Sequence, residues 1–170
     1  AEYVLNTVIS EGINENIVSG IQTPGPSRYP NSNWSSLAAY INDEFSLTEK
    51  INLQAGLRYN QFVLDSDFDT SFYNFPFQSA TLNNGALTGS LGAVYRPINQ
   101  VVISSNFGTA FRSPNVDDIG KVFDSEPGSV VVPNPNLAAE YAYNFDVGAA
   151  VIFSKAIKVD ITAYYTLLEN

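Results

Sequence analysis

The chain has 170 residues, 45% of them apolar and 15% charged, and its 8 basic and 17 acidic side chains give a formal net charge of -9. There is enough apolar surface for one core, but an acidic chain repels phosphates, so nucleic acid is not an expected partner. With no Cys and no His, the chain has no thiol nucleophile, Cys/His zinc site, disulfide or His general base; any catalysis would have to rest on carboxylates, Tyr, Lys or Ser, and no enzyme and no resident cofactor are expected.

In chain order, residues 2–10 and 34–47 read as strands of imperfect alternation. The pattern becomes clean at residues 51–63, where Ile51, Leu53, Ala55, Leu57 and Tyr59 alternate with Asn52, Gln54, Gly56, Arg58 and Asn60. A period of two over that length predicts a strand with one apolar and one polar face. The same alternation recurs at 87–95, 101–111, 141–153 and 155–167, again with the apolar residues at odd positions. About seven strands are expected.

The connections alternate in length. Tight links fall at Leu47-Thr48-Glu49-Lys50, Arg96-Pro97-Ile98-Asn99 and Ser154-Lys155, and long loops cover about 11–33, 65–85 and 112–138. In an antiparallel meander this places every tight turn at one end and every long loop at the other. That asymmetry, with strands close to the ~9–11 residues that cross a bilayer, predicts an all-β chain: an antiparallel up-and-down meander, a slice of a large transmembrane β-barrel. Aromatics near the strand ends, such as Tyr40, Tyr59, Tyr95, Phe107 and Tyr141, fit interfacial girdles. No stretch approaches the ~20 apolar residues of a membrane helix, and the start at Ala1-Glu2-Tyr3 without Met suggests a piece of a longer protein. The two outermost strands would be open edges needing a cap. A soluble extracellular β-sheet binding module, consistent with a mean hydropathy of -0.03, is the alternative.

Three loop features invite chemistry. Asp65, Asp67 and Asp69 alternate like the opening of a calcium loop, but the sixth and twelfth positions are Thr70 and Pro76 rather than Gly and Glu, so a solvated acidic loop is expected over a metal site. Phe72, Tyr73 and Phe75 are ligand-contact candidates at a loop tip, with packing against neighbouring loops preferred. Asp117 and Asp118 are a further ligand-contact pair; being adjacent, they do not face each other as an acid and base would. Arg112 is expected to pin the loop base through a carboxylate or carbonyls, and Pro114, Pro133 and Pro135 to stiffen the loop ends.

Phe111-Arg112-Ser113-Pro114-Asn115, followed by Asn134-Pro135-Asn136-Leu137 and Ala139-Glu140, resembles the paired signature in the barrel of TonB-dependent outer-membrane receptors. Leu37-Ala38-Ala39-Tyr40 and Gly56-Leu57-Arg58-Tyr59 are similar to another recurring piece of those barrels. The resemblance implies a partial β-barrel domain over residues 1–170, with no recognisable plug, from a barrel of about 22 strands in the outer membrane of a Gram-negative bacterium. It implies partners as well: membrane lipid, a plug domain, TonB, and a small-molecule nutrient such as a ferric siderophore, haem or cobalamin. Haem receptors carry a His between the two halves of the signature. Residues 115–132 hold no His, Tyr, Cys or Met, the side chains that ligate haem iron, which argues against haem capture by this loop.

Overall fold

The computed structural model describes residues 1–121, 124–126, 129–130, 132, 134, 136–154 and 156–169. Its elements are β1 (Glu2–Val8), β2 (Gly12–Glu15), β3 (Gln22–Gly25), β4 (Asn31–Thr48), β5 (Ile51–Asp67), β6 (Ser79–Ile98), β7 (Val101–Arg112), α1 (Val116–Gly120), β8 (Asp124–Glu126), β9 (Ser129–Val130), β10 (Glu140–Ser154) and β11 (Ile157–Glu169). Seven strands form one antiparallel sheet in the order β1-β4-β5-β6-β7-β10-β11. Every strand neighbours the next long strand in the chain, so the sheet is the expected meander. The pairs β2–β3 and β8–β9 are small hairpins within the first and last long connections.

The tight turns have a local cause. At the β4–β5 turn the Thr48 hydroxyl accepts from the N–H groups of Lys50 and Ile51 at 3.2 and 3.1 Å. The Lys50 carbonyl then accepts from Arg96 N–H at 2.8 Å, joining the β6 end to the same rim.

The even positions of adjacent strands share one polar face. Ser46 donates to Asn52 at 3.0 Å, Arg58 lies over the Tyr40 ring at 5.5 Å, and Asn106 donates to Asp146 at 3.2 Å. The odd positions share an exposed apolar face that includes Ile41, Leu57, Leu87, Leu91, Phe107, Phe145 and Ile161. A carboxylate interrupts it at Asp43, which pairs with Ala55, level with Leu91 on β6.

Above Tyr59 the pattern inverts. Phe62, Leu64 and Ser66 are buried on the even face of β5, whereas Asp65 and Asp67 are exposed on the odd face. The strand continues through this switch, so residues 65–67 and 79–85 belong to the β5–β6 ladder and the connection between them is residues 68–78. Where a covering loop packs on one face of a strand, the buried apolar residues move to that face, and the exchange resembles a loop when alternation is read in one phase only. For the same reason β4 begins at Asn31, three residues before the alternation suggested.

The covered end holds the core. Leu64, Phe68, Phe75, Ala80, Leu82, Val116 and Ile119 form one buried cluster, with Val8, Tyr29, Trp34, Tyr73, Phe77 and Leu137 packed on it. At this end the wall also divides. The β6–β7 ladder stops at Ser90↔Gly108, while β6 continues beside β5 to Ser79↔Asp67 and β7 beside β10 to Arg112↔Glu140.

Candidate functional site

The strand β7 delivers residues 111–115 to the loop end, and each has a placed role. Phe111 stacks on Phe62 with ring centroids 6.2 Å apart and also meets Tyr141 at 6.5 Å. Arg112 binds both oxygens of Asp118 at 2.7 Å and Glu140 at 3.4 Å. Both Asp118 oxygens accept from the one nitrogen Nη2 while Nη1 donates to Glu140, so Arg112 ties the start of α1 to the first residue of β10. The Asp118 hydrogen bond is the main cause that raises the Arg112 pKa.

Pro114 precedes the helix cap, and Ser113 Oγ donates to the Pro114 carbonyl at 3.1 Å. Asn115 is in extended conformation, accepts from the N–H groups of Asp117 and Asp118, and donates its own N–H to the Asp118 carboxylate at 3.0 Å. This reciprocal cap satisfies backbone donors that a five-residue helix cannot pair internally. Asp118 is thus committed to the cap and to Arg112. Asp117 pairs with Lys121 at 3.2 Å, and its pKa lies below the usual value chiefly because the Tyr29 side chain hydrogen-bonds it, then because of Lys121.

The second half of the signature returns to the same helix. Asn134 N–H donates to the Ile119 carbonyl at 3.0 Å, capping the end of α1. Asn136 N–H donates to the Asn134 side chain at 3.0 Å, Leu137 packs on the core cluster, and Glu140 pairs with Arg112. Pro133 and Pro135 lie outside the described residues. Val116 and Ile119 sink into the cluster, and Gly120 is tight: a Cβ there would lie 2.7 Å from the Pro30 ring and 2.9 Å from Phe68.

The aromatic loop candidates separate. Phe75 is buried, edge-on to Phe68 at 6.2 Å and stacked with Phe77 at 6.0 Å; Tyr73 leans on Phe75 at 6.0 Å. Phe72 remains exposed. Asp65 and Asp67 stand on the exposed face of β5, where Asp65 accepts from Thr81 at 2.7 Å. Asp69 caps the next turn, accepting from the Ser71 hydroxyl and N–H, and those bonds lower its pKa. Among the described residues no group of three or more acidic, His or Cys side chains is arranged to hold a metal ion.

Two clefts flank this assembly. One, of about 570 Å³, lies between the end of β1, Tyr29, Trp34 and residues 113–117. The other, about 460 Å³, lies between residues 110–112, the start of β10 and Leu168. Tyr29, Pro30 and Trp34 were not singled out from the sequence; Tyr29 and Pro30 enter because the first long connection closes over α1, and Trp34 because β4 extends beneath it. The tight Pro30–Gly120 approach has no counterpart in either local pattern.

A meander with all its covered connections at one end, and a signature folded into a capped helix against the wall, is the geometry against which the comparisons stand. Residues 7–170 match the family described as TonB dependent receptor-like, beta-barrel. The chain belongs to this family. Over 119 residues it is 26% identical to hemoglobin-haptoglobin utilization protein B of Neisseria meningitidis serogroup A / serotype 4A, covering 66% of this chain and 15% of that protein. Its fold is similar to a double mutant of the Serratia marcescens hemophore receptor HasR in complex with its hemophore HasA and heme: the TM-score is 0.67 at 18% identity, covering 88% of this chain and 28% of that one. The chain therefore spans less than a third of either relative. Members of the TonB-dependent receptor family are receptors and transporters of the Gram-negative outer membrane rather than enzymes. In outer-membrane barrels strands alternate apolar residues outward with polar residues inward, and the odd and even positions of this sheet carry that alternation.

Proposed function

We propose that the chain forms part of the wall and outer mouth of a Gram-negative outer-membrane receptor that imports haem, free or from a carrier protein, with energy supplied through TonB. The observation that carries this reading is the mouth itself. The two halves of the signature fold together on α1 and leave the cleft of about 570 Å³ on the lumen face beside Tyr29 and Trp34. Both relatives support haem as the cargo, one named for hemoglobin-haptoglobin utilization and the other a hemophore receptor.

The paired signature acts here as a brace. Arg112, Asn115, Asp118, Asn134 and Glu140 are engaged with one another and with the ends of α1, and the described residues between Pro114 and Pro133 include no side chain suited to ligate haem iron. The brace sets the shape of the mouth, and iron ligands come from elsewhere in the receptor. The apolar odd face, from Ile51 to Tyr59 on β5, contacts lipid, and the polar positions beyond Tyr59 rise above it. The same alternation would serve the wet face of a soluble module, but family membership favours the barrel.

The test is growth of a Gram-negative host that cannot make haem and lacks its own haem receptors, carrying the full receptor. Growth on haem or hemoglobin that disappears when the host's TonB is deleted is expected. Uptake of a ferric siderophore with none of haem would overturn the cargo, and growth independent of TonB would overturn the energy source.

A further inference from the structure

The fork between β6 and β7 leaves a backbone edge open. In an antiparallel strand the N–H and C=O of one residue point to the same neighbour, and successive residues point to opposite neighbours. Gly89 N–H donates to Thr109 Oγ1 at 2.8 Å, and that hydroxyl donates back to the Gly89 carbonyl at 3.4 Å. The odd residues of β6 therefore face β7, and a side chain ends the ladder in place of backbone. Arg96 N–H, which reaches Lys50 on the other side, places the even residues toward β5. Thr81, Asn83, Gly85 and Leu87 consequently aim their N–H and C=O groups into the fork, where among the described residues no ladder partner meets them.

Nothing in the local sequence blunts this edge. Exposed edges are ordinarily protected by Lys, Pro or a bulge; residues 79–89 contain neither Lys nor Pro, and their pairing with β5 is unbroken. The side chains that could fold across are held toward β5 instead. Thr81 donates to Asp65 at 2.7 Å, Asn83 accepts from Gln61 at 2.6 Å, and Gly85 has no side chain. A row of unpaired donors and acceptors at alternate residues is complementary to one chemistry, a polypeptide in extended conformation.

We infer that the β6 edge at residues 81–87 takes an extended segment of the protein that carries the cargo, added as a strand in the fork. The inference rests on the haem-receptor reading above and narrows it to a protein-borne cargo. Even residues make the β6 bonds to β5, so Asn83→Pro deletes an edge donor without cutting that ladder, and proline is tolerated at such a position. Asn83→Ala, which keeps the N–H and loses only the bond to Gln61, is the control.

The experiment uses the full receptor, hemoglobin as the protein probe and free haem as the small one. Asn83→Pro is expected to weaken hemoglobin binding by about tenfold, with Asn83→Ala and haem uptake both close to wild type. In the unsubstituted receptor, hydrogen exchange at Thr81, Asn83, Gly85 and Leu87 should slow when hemoglobin is added, a reading that does not depend on the variant folding. The inference is overturned by equal hemoglobin binding in Asn83→Pro, by edge amides already protected before hemoglobin is added because the receptor fills its own fork, or by a receptor that takes up haem and ignores hemoglobin. The last result leaves the haem reading standing; failure with both probes removes that reading and the inference together.

Discussion

The seating of α1 can be tested by one truncation. Ile119 is fully buried, at 0% exposure, among Leu64, Phe68, Leu82 and Val116, yet it belongs to no strand ladder. Ile119→Ala removes three carbons. At about 0.8 kcal/mol for each buried group, plus a partial cavity, the loss is about 3 kcal/mol. Because the capping bonds of Asn115 and the sheet hydrogen bonds survive, that loss should appear as local opening of α1, with an opening constant raised by about two orders of magnitude. The assay is amide hydrogen exchange on the full receptor. The reporters are Ile119 N–H, bonded to the Asn115 carbonyl at 3.1 Å, and Asn134 N–H, bonded to the Ile119 carbonyl at 3.0 Å. Both should accelerate together while the β5–β6 ladder keeps its wild-type rates. Unchanged α1 amides would refute the claim that the cluster holds the helix, and equal acceleration in the ladder would refute its separability from the wall.

Gly120→Ala should unseat the same helix from the opposite side, since its Cβ would meet two rigid rings, Pro30 and Phe68; a cost of about 1–3 kcal/mol is expected in thermal or denaturant unfolding of the loop. On the odd face, which the proposed barrel turns to lipid, Leu57→Arg should cost about 2–4 kcal/mol in folding into bilayers, whereas Gln61→Arg, beyond Tyr59, should cost at most about 1 kcal/mol. Equal penalties would misplace the membrane boundary. Asp43→Leu, which restores the apolar row shared with Ala55 and Leu91, should raise stability in the same assay. The lowered pKa of Asp117, set first by Tyr29 and then by Lys121, means that its contribution is present above the ordinary carboxylate value of 3.8 and is lost as the pH falls through the lower folded value. A carboxyl-carbon NMR titration should find the midpoint below 3.8 in the wild type and shifted back up in Tyr29→Phe; a midpoint indifferent to Tyr29 would remove that contact.

The alternation from Ile51 to Tyr59 suffices to specify a strand with one apolar face, and its recurrence with tight and long links in turn suffices for a sequential meander, because side-chain direction in a strand has a fixed period and short links permit only antiparallel neighbours. The family signature was likewise legible, since residues 111–115 and 134–140 are local in the chain and their chemistry is turn and cap chemistry. Three things were decided by tertiary structure alone. The ends of β4, β5 and β6 depend on what covers each face, and the exchange of polar and apolar sides at Tyr59–Phe62 is visible only when the loop core is in place. The partners of Arg112, one 6 residues away and one 28 residues away, are brought together by the β7–β10 register and the fold of α1. The open edge of β6 exists because two neighbouring ladders extend further than the one between them, a property of three strands at once that no single strand's sequence carries.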